Sequence, residues 1–169
     1  MSRTAAPVRG LLIPSDWFTP LAAVEFDPDD QGYLPGLRQH VGDPILPVTV
    51  LTTLDFVVGA RNQGEAINQR AHLIRRMVIR SAADGEHEIS QTDQTRAQGM
   101  VGTSNFQPPL AGPVVMLGVD LRTGNYASAP AELIDQLIRG EETAQQHPRA
   151  HAAAASSSVT PAMLSGATR

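Results

Sequence analysis

The amino-acid sequence predicts an α+β domain over residues 10–140, in which a mixed β-sheet of about five strands is covered by two or three helices. One observation is that short apolar runs rich in β-branched residues are separated by Gly, Pro and Asp clusters, which is typical of strands and turns. The other is that longer segments repeat apolar residues every three or four positions, which is typical of helices. Because aromatic residues make up 4% of the chain and hydrophobic residues 41%, we expect an aliphatic core.

Five segments have the composition of strands: residues 10–14, 21–26, 45–51, 54–58 and 110–120. We expect the first two to pair as a hairpin. The third is predicted to lie at a sheet edge, because Pro47 cannot donate to a strand ladder. The fifth is apolar almost without interruption, which favours a strand that is buried on both faces.

Three regions flank or interrupt this framework. Residues 1–9 lack periodicity and are predicted to form a flexible arm. Residues 84–109 are polar and weakly patterned, and we expect a mobile excursion with a short helix or strand around Glu88–Gln98. Residues 141–169 are low in complexity and are predicted to be a disordered C-terminal tail.

Helices are predicted over residues 33–41, 65–82 and 129–140. Gly42 follows the first segment and is a typical helix end. The clearest pattern is that of 65–82, where four apolar residues recur on one face. These are Ile67, Ala71, Ile74 and Val78.

The opposite side of helix 65–82 carries the strongest charge feature of the chain, which we call the arginine face. Its candidate binding residues are Arg70, Arg75, Arg76, Arg80 and His72. A solvated helix face is the simplest interpretation, since residues 16–55 hold seven acids and one arginine that this face can complement. Arginine forks also suit phosphates and the acidic surface of a partner protein. The helix has no aromatic residue on which a nucleic-acid base would stack.

The composition excludes several kinds of chemistry. Without cysteine there is no disulfide, thiol nucleophile or Cys-ligated metal, and without lysine there is no Schiff base or standard P-loop. A net charge of −4 does not favour a chain that binds polyanions through its overall charge. The apolar run at 11–13 stops at Pro14, too short for a signal or membrane segment, so we expect a soluble, cytoplasmic protein without membrane contact.

Other polar clusters were weighed as metal sites. The tripeptide Glu86–Glu88 points adjacent side chains apart, and His147 and His151 have helical spacing but lie in the low-complexity tail. The acids at 27–30 are a fragment of a calcium loop and are better interpreted as a turn. We therefore predict no metal and no cofactor. Trp17 and Phe18 are expected to close the core, and the alternative is an exposed anchor, since Trp is common at interfaces.

A small hydrolytic enzyme remains an alternative, and no catalytic residue is assigned. It requires a cleft that joins a histidine to a carboxylate within hydrogen-bond reach. The candidate residues are His40, His72, His87, Asp55 and Asp120.

Three stretches, in their order and spacing, carry a resemblance to a known family. They are a short helix before Val41-Gly42, the segment Asn68-Gln69-Arg70-Ala71 at a helix start, and the strand 110–120 followed by Ala129-Pro-Ala-Glu-Leu133. The chain resembles a domain-of-unknown-function family of small proteins in phages, plasmids and their bacterial hosts, often actinobacterial. The family pattern has a second glycine where Asp43 stands and a proline where Gln69 stands. The resemblance covers about residues 10–140 and implies a genomic setting rather than a reaction.

Together these observations predict a non-enzymatic accessory protein of a phage or other mobile element. It is expected to act by binding a macromolecule, with a host or phage protein favoured as partner. The alternatives are nucleic-acid binding through the arginine face and the small hydrolytic enzyme. The sequence leaves the oligomeric state open.

Overall fold

The structure is a computed structural model that describes residues 6–86, 89–101 and 108–146. These residues form six strands and four α-helices, joined in part by a 3-10 turn at Ala60–Gly64. The strands are β1 (Val8–Ile13), β2 (Ala22–Phe26), β3 (Ile45–Leu51), β4 (Leu54–Gly59), β5 (Val114–Val119) and β6 (Tyr126–Ala127). The helices are α1 (Leu34–Val41), α2 (Gln69–Asp84), α3 (Gln91–Val101) and α4 (Ala131–Gln146). The predicted α+β class is confirmed.

One sheet contains all six described strands in the order β2-β1-β5-β4-β3, with β6 added beside β5. Every described pairing is antiparallel, so the sheet differs from the mixed sheet that the sequence predicted. The difference arises because β5 enters between two antiparallel hairpins and runs opposite to both of its neighbours, β1 and β4. The apolar pattern of the sequence located β5 in the chain but did not indicate its direction relative to the neighbouring strands.

Three predictions about individual strands are confirmed. The hairpin pairs β1 with β2 from Val8–Phe26 to Leu12–Ala22. The strand with Pro47, β3, lies at an edge, and the continuous apolar strand β5 is central and buried on both faces. β1 begins at Val8, which is buried, so the last two residues of the expected arm belong to the sheet. The two-residue strand β6 was not predicted, since so short a strand leaves no pattern.

Apolar side chains pack on both faces of the sheet. One face contacts α2, α3 and α4 in the larger core, whose fully buried members include Phe56, Met116 and Ile134. The other face is covered by α1, where Leu37 and Val41 pack with alternate residues of β4 and β5. Three helices therefore cover one face of the sheet and one helix covers the other. This arrangement places α2 between the sheet and solvent.

Helix α3 occupies the segment in which we expected a mobile excursion. Its Asp93 is buried, and accepts hydrogen bonds from the Thr52 amide at 2.6 Å and the Thr53 hydroxyl at 2.9 Å. Ser90 Oγ in turn accepts from the Asp93 amide, as a helix-capping residue does. These bonds attach α3 to the turn between β3 and β4, while residues 87–88 and 102–107 lie outside the described part.

Helix α4 extends past the expected end at Gly140 to Gln146. The extension has a tertiary reason, because Glu141 accepts a 2.7 Å hydrogen bond from the Leu21 amide. The first residues of the predicted tail are thus helical. Residues 147–169, with His147 and His151, lie outside the described residues.

Candidate binding surface on helix α2

Helix α2 begins at a buried asparagine, Asn68, which is 1% exposed. Its Oδ1 accepts from the Ala71 amide at 2.9 Å, which caps the helix. Its Nδ2 donates to backbone carbonyls of Ile13, Pro14 and Gly112, so the cap also fixes the helix to the sheet. The helix therefore starts four residues later than the periodicity predicted. Gly85, with φ of 73°, ends it.

Arg70 was predicted to face solvent, and this is wrong, because the residue is 4% exposed. Its guanidinium donates to the carbonyls of Thr19 at 2.7 Å and Trp17 at 3.0 Å, and it pairs with Glu141 at 3.1 Å. The loop before β2, the first turn of α2 and the last turns of α4 are thereby joined at one side chain. Arg70 serves the fold and is not available to a ligand.

Trp17 and Phe18 do not close the core, contrary to the prediction. Trp17 is 54% exposed and Phe18 is 96% exposed. The Arg70 guanidinium lies 5.2 Å from the centre of the Trp17 ring, a cation–π distance. An Asp16 carboxylate that accepts from the Phe18 and Thr19 amides fixes this turn and leaves both rings outside.

Arg75 is also buried, which again contradicts the solvent-facing prediction. It is 3% exposed, and its Nη1 donates to the Pro108 carbonyl at 2.7 Å. Its Nη2 lies 3.0 Å from Nδ1 of His72, whose Nε2 lies 3.0 Å from the Leu110 amide nitrogen. Burial lowers the pKa of Arg75, because loss of hydration disfavours the charged form.

His72 is half-buried between Arg75 and Leu110 and not on an open polar arc beside Arg76. Burial, and then the charge of Arg75, lower the pKa of His72 below 6.5, so the neutral ring is favoured. The contacts of the ring go to donors rather than to a carboxylate. This arrangement lacks the acidic partner that orients a catalytic histidine.

The other two arginines of the face are exposed, as predicted. The Arg80 side chain is 74% exposed and makes one long contact of 3.8 Å with Asp84, one turn further along. Arg76 is also exposed. Both line a cavity of about 110 Å³ whose inner side is formed by His72 and Arg75.

Beside Arg76 and Arg80, α2 exposes two large apolar side chains. Leu73 is 49% exposed and Met77 is 57% exposed. They border a groove of about 480 Å³ between α2 and α4, whose α4 side is formed by Leu133 and Leu137. We call this the α2/α4 groove. Arg76 and Arg80 line both the groove and the smaller cavity, so they form the ridge between them.

The residues considered for hydrolysis are not brought together by the contacts that the structure describes. The His40 ring packs on Phe26, and Asp120 accepts from the Arg122 amide and the Thr123 hydroxyl within a turn. Asp55 is buried in β4, and burial raises its pKa above the usual range. His87 lies outside the described residues.

The described residues also bear on the metal sites that the sequence suggested. Over residues 6–86, 89–101 and 108–146, no group of three or more His, Asp or Glu side chains is close enough to hold an ion. Asp29, from the supposed calcium fragment, accepts from the Gln31 amide inside a tight turn. None of the helices described here combines the length and apolarity that a bilayer crossing requires.

Comparison with known proteins adds no assignment, because no family model, curated protein or solved structure matches the chain. The resemblance to a phage and plasmid family therefore stays a prediction. Of the stretches that carried it, Val41-Gly42 lies at the end of α1 and Asn68 at the start of α2.

Sequence reasoning missed the apolar half of the exposed surface and one cation. Leu73 and Met77 have the i, i+4 spacing of a helix stripe, and they fall between the core stripe and the arginines. That spacing was the available signal. Arg96, on α3, lines a second cavity with Arg75. It was not considered because it lies in the weakly patterned segment 84–109.

Proposed function

We propose that the protein is a non-enzymatic accessory protein of a phage or other mobile element, which binds a host or phage protein through helix α2. The observation that carries the proposal is the α2/α4 groove, with Leu73 and Met77 exposed beside Arg76 and Arg80. The genomic setting rests on the sequence resemblance alone. A cytoplasmic location belongs to the same proposal.

The chemistry of the groove favours an amphipathic segment of a partner protein. Its apolar side chains would cover Leu73 and Met77, which lie one helical turn apart, as in helix-in-groove recognition. Carboxylates on the same segment would meet Arg76, which is exposed on the ridge. Such rim charges steer association and fix orientation more than they add affinity.

The test compares captured proteins between matched variants of the full chain. Leu73→Ser/Met77→Ser removes the apolar contact, and Leu121→Ser is the control, because Leu121 is equally apolar, is 61% exposed and lies in the turn after β5. A protein captured from host or phage-infected lysate by the wild type and the control should be lost with the double variant. Its purified form should bind at least about tenfold more weakly, since burying such side chains contributes over 1.4 kcal/mol.

Nucleic-acid binding is the competing outcome. Fluorescence anisotropy with labelled duplex and single-stranded DNA, at about 50 and 200 mM salt, measures it directly. The variant is Arg76→Glu/Arg80→Glu, because these two arginines are exposed and their substitution leaves the fold intact. Salt-sensitive binding that this variant loses, together with capture unaffected by Leu73→Ser/Met77→Ser, would replace the protein partner with nucleic acid.

A further inference from the structure

A second site, which shares Arg76 and Arg80 with the α2/α4 groove but lies on their other side, is indicated by a buried arginine with an unsatisfied donor. Arg75 is 3% exposed, and a guanidinium buried to this extent ordinarily has its N–H groups paired. Its Nη1 donates to the Pro108 carbonyl, but its buried Nε has no acceptor among the described residues. The positive charge has no described carboxylate partner.

Among the described residues, the His72 ring contacts this guanidinium but cannot accept from both of the donors that face it. His72 receives the Arg75 Nη2 at its Nδ1 and the Leu110 amide at its Nε2, both at 3.0 Å. A neutral imidazole has one lone pair for accepting and one N–H. One of the two donors is therefore left facing another N–H, and a protonated ring would satisfy neither donor.

Two cavities adjoin this pair, and Arg75 and Met100 line both. The first, of about 110 Å³, is also bordered by Arg76 and Arg80, and the second, of about 170 Å³, by Arg96. Their described lining residues include no Asp or Glu. Either volume exceeds the roughly 10–15 Å³ that one water needs, so each has room for a small polyatomic group.

We propose that this cleft between α2, α3 and β3 binds a phosphate group. Arg75 lines both cavities, the exposed Arg76 and Arg80 line the first, and the exposed Arg96 lines the second. A phosphate supplies several acceptor oxygens on one centre and two negative charges, which suits arginine forks that approach from different elements. A small adjustment of the Arg75 side chain would turn its unpaired donors towards those oxygens. The inference goes beyond the proposed protein binding and does not depend on Leu73 or Met77.

The phosphate can belong to a small molecule or to the end of a nucleic acid. Both sources present the same group to the cleft. The direct test is isothermal titration of the full chain with inorganic phosphate, against sodium chloride at matched ionic strength. Side-chain NMR of His72 in the same titration reports whether the bound ion is beside its ring.

Arg96→Gln is the decisive variant because Arg96 is exposed and its loss leaves the core intact. It should weaken phosphate binding about tenfold, the effect of one charge-assisted hydrogen bond. The control Arg122→Gln removes the same charge from a side chain that is 85% exposed in the turn after β5, and should change binding less than about twofold. Equal loss in both variants, or no saturable signal beyond chloride, would overturn the proposal.

Two oligonucleotides, identical except for a 5′-phosphate or a 5′-hydroxyl, distinguish the sources. If the phosphorylated one alone binds more tightly than inorganic phosphate, and Arg96→Gln weakens it, the phosphate group is a nucleic-acid end. If inorganic phosphate binds and neither oligonucleotide does, the ligand is a small phosphate. Binding of both oligonucleotides that Arg96→Gln leaves unchanged would contradict a phosphate pocket at this cleft.

Discussion

The two halves of the arginine face on α2 have the same composition and opposite roles. Arg70 and Arg75 are 4% and 3% exposed, and they donate to carbonyls of distant loops. Arg76 and Arg80, on the same helix, extend into solvent. The comparison teaches that a charged helix face is not one continuous surface. Each arginine is buried or exposed according to whether residues from other elements pack over it.

The largest expected effect on stability comes from substituting Arg70, one of the two buried arginines. Arg70→Met should lower the free energy of unfolding by about 3–5 kcal/mol, because Glu141, whose side chain is 15% exposed, would keep its charge without a cationic partner. Urea unfolding measures this loss. The control is Arg76→Met, which should change the free energy by less than about 0.5 kcal/mol.

A double variant tests whether this loss of stability arises from the Arg70–Glu141 ion pair. In Arg70→Met/Glu141→Leu no charge is left buried, so part of the lost stability should return. If the double variant is less stable than the sum of the single variants predicts, the Arg70–Glu141 pair does not explain the burial of Arg70.

An intermediate effect on stability is expected when the pH is lowered, because His72, which contacts Arg75, titrates differently in the folded and unfolded protein. Its pKa in the folded protein is lowered by burial and by Arg75, whereas the unfolded chain has the ordinary value of 6.5. As pH falls below about 6.5, the unfolded chain binds a proton that the folded protein does not, so the free energy of unfolding falls. It falls by at most about 1.4 kcal/mol per pH unit, and the fall ends once the pH has passed the pKa of His72 in the folded protein.

The measurement is the urea midpoint at several pH values between about 7.5 and 3. The variant His72→Gln cannot titrate, so this acid-sensitive part should disappear from its profile. A separate loss at lower pH should remain in both proteins, because Asp93 is protonated there. Burial acts to raise the pKa of Asp93, but hydrogen bonds from Thr52 and Thr53 outweigh it and lower the pKa below 3.8. An unchanged profile in His72→Gln would contradict the role of His72.

The smallest effect on stability is expected in the exposed half. Arg80→Gln breaks the 3.8 Å contact with Asp84, and such an i, i+4 pair contributes roughly 0.3–0.5 kcal/mol. Thermal unfolding in low and high salt would detect it, since the contribution is screened by ions. A loss above about 1 kcal/mol would show that Arg80 has a structural role like that of Arg70.

The fold was largely predictable because its signals are local. Alternating and continuous apolar runs located five strands, and Pro47 placed β3 at an edge, since these features act within a few residues. Strand direction was not local. It depends on where β5 inserts, and nothing within residues 110–120 encodes its neighbours.

The candidate site was half predictable for the same reason. Helical periodicity put the arginines on the outer side of α2, but the acceptors that bury Arg70 come from residues 17–19 and 141. Those that fix Arg75 come from His72 and Pro108. Apart from His72, which is three residues from Arg75 on the same helix, these partners are far away in sequence and leave no spacing to recognise. The exposed Leu73 and Met77 had a spacing, but it matched the core stripe as well as a docking surface.

The central claim is that the Arg70 and Arg75 side chains are buried while Arg76 and Arg80 are exposed, and NMR of the Nε–H groups tests it without a perturbing ligand. The Nε atoms of Arg70 and Arg75 are buried and have no acceptor among the residues that the structure describes. Because burial keeps these N–H groups from water, their hydrogen exchange should be slow at neutral pH. The signals can be assigned by their loss in Arg70→Lys and Arg75→Lys. The account predicts slow exchange for Arg70 and Arg75 and fast exchange for Arg76 and Arg80. Equally fast exchange at all four positions would contradict it.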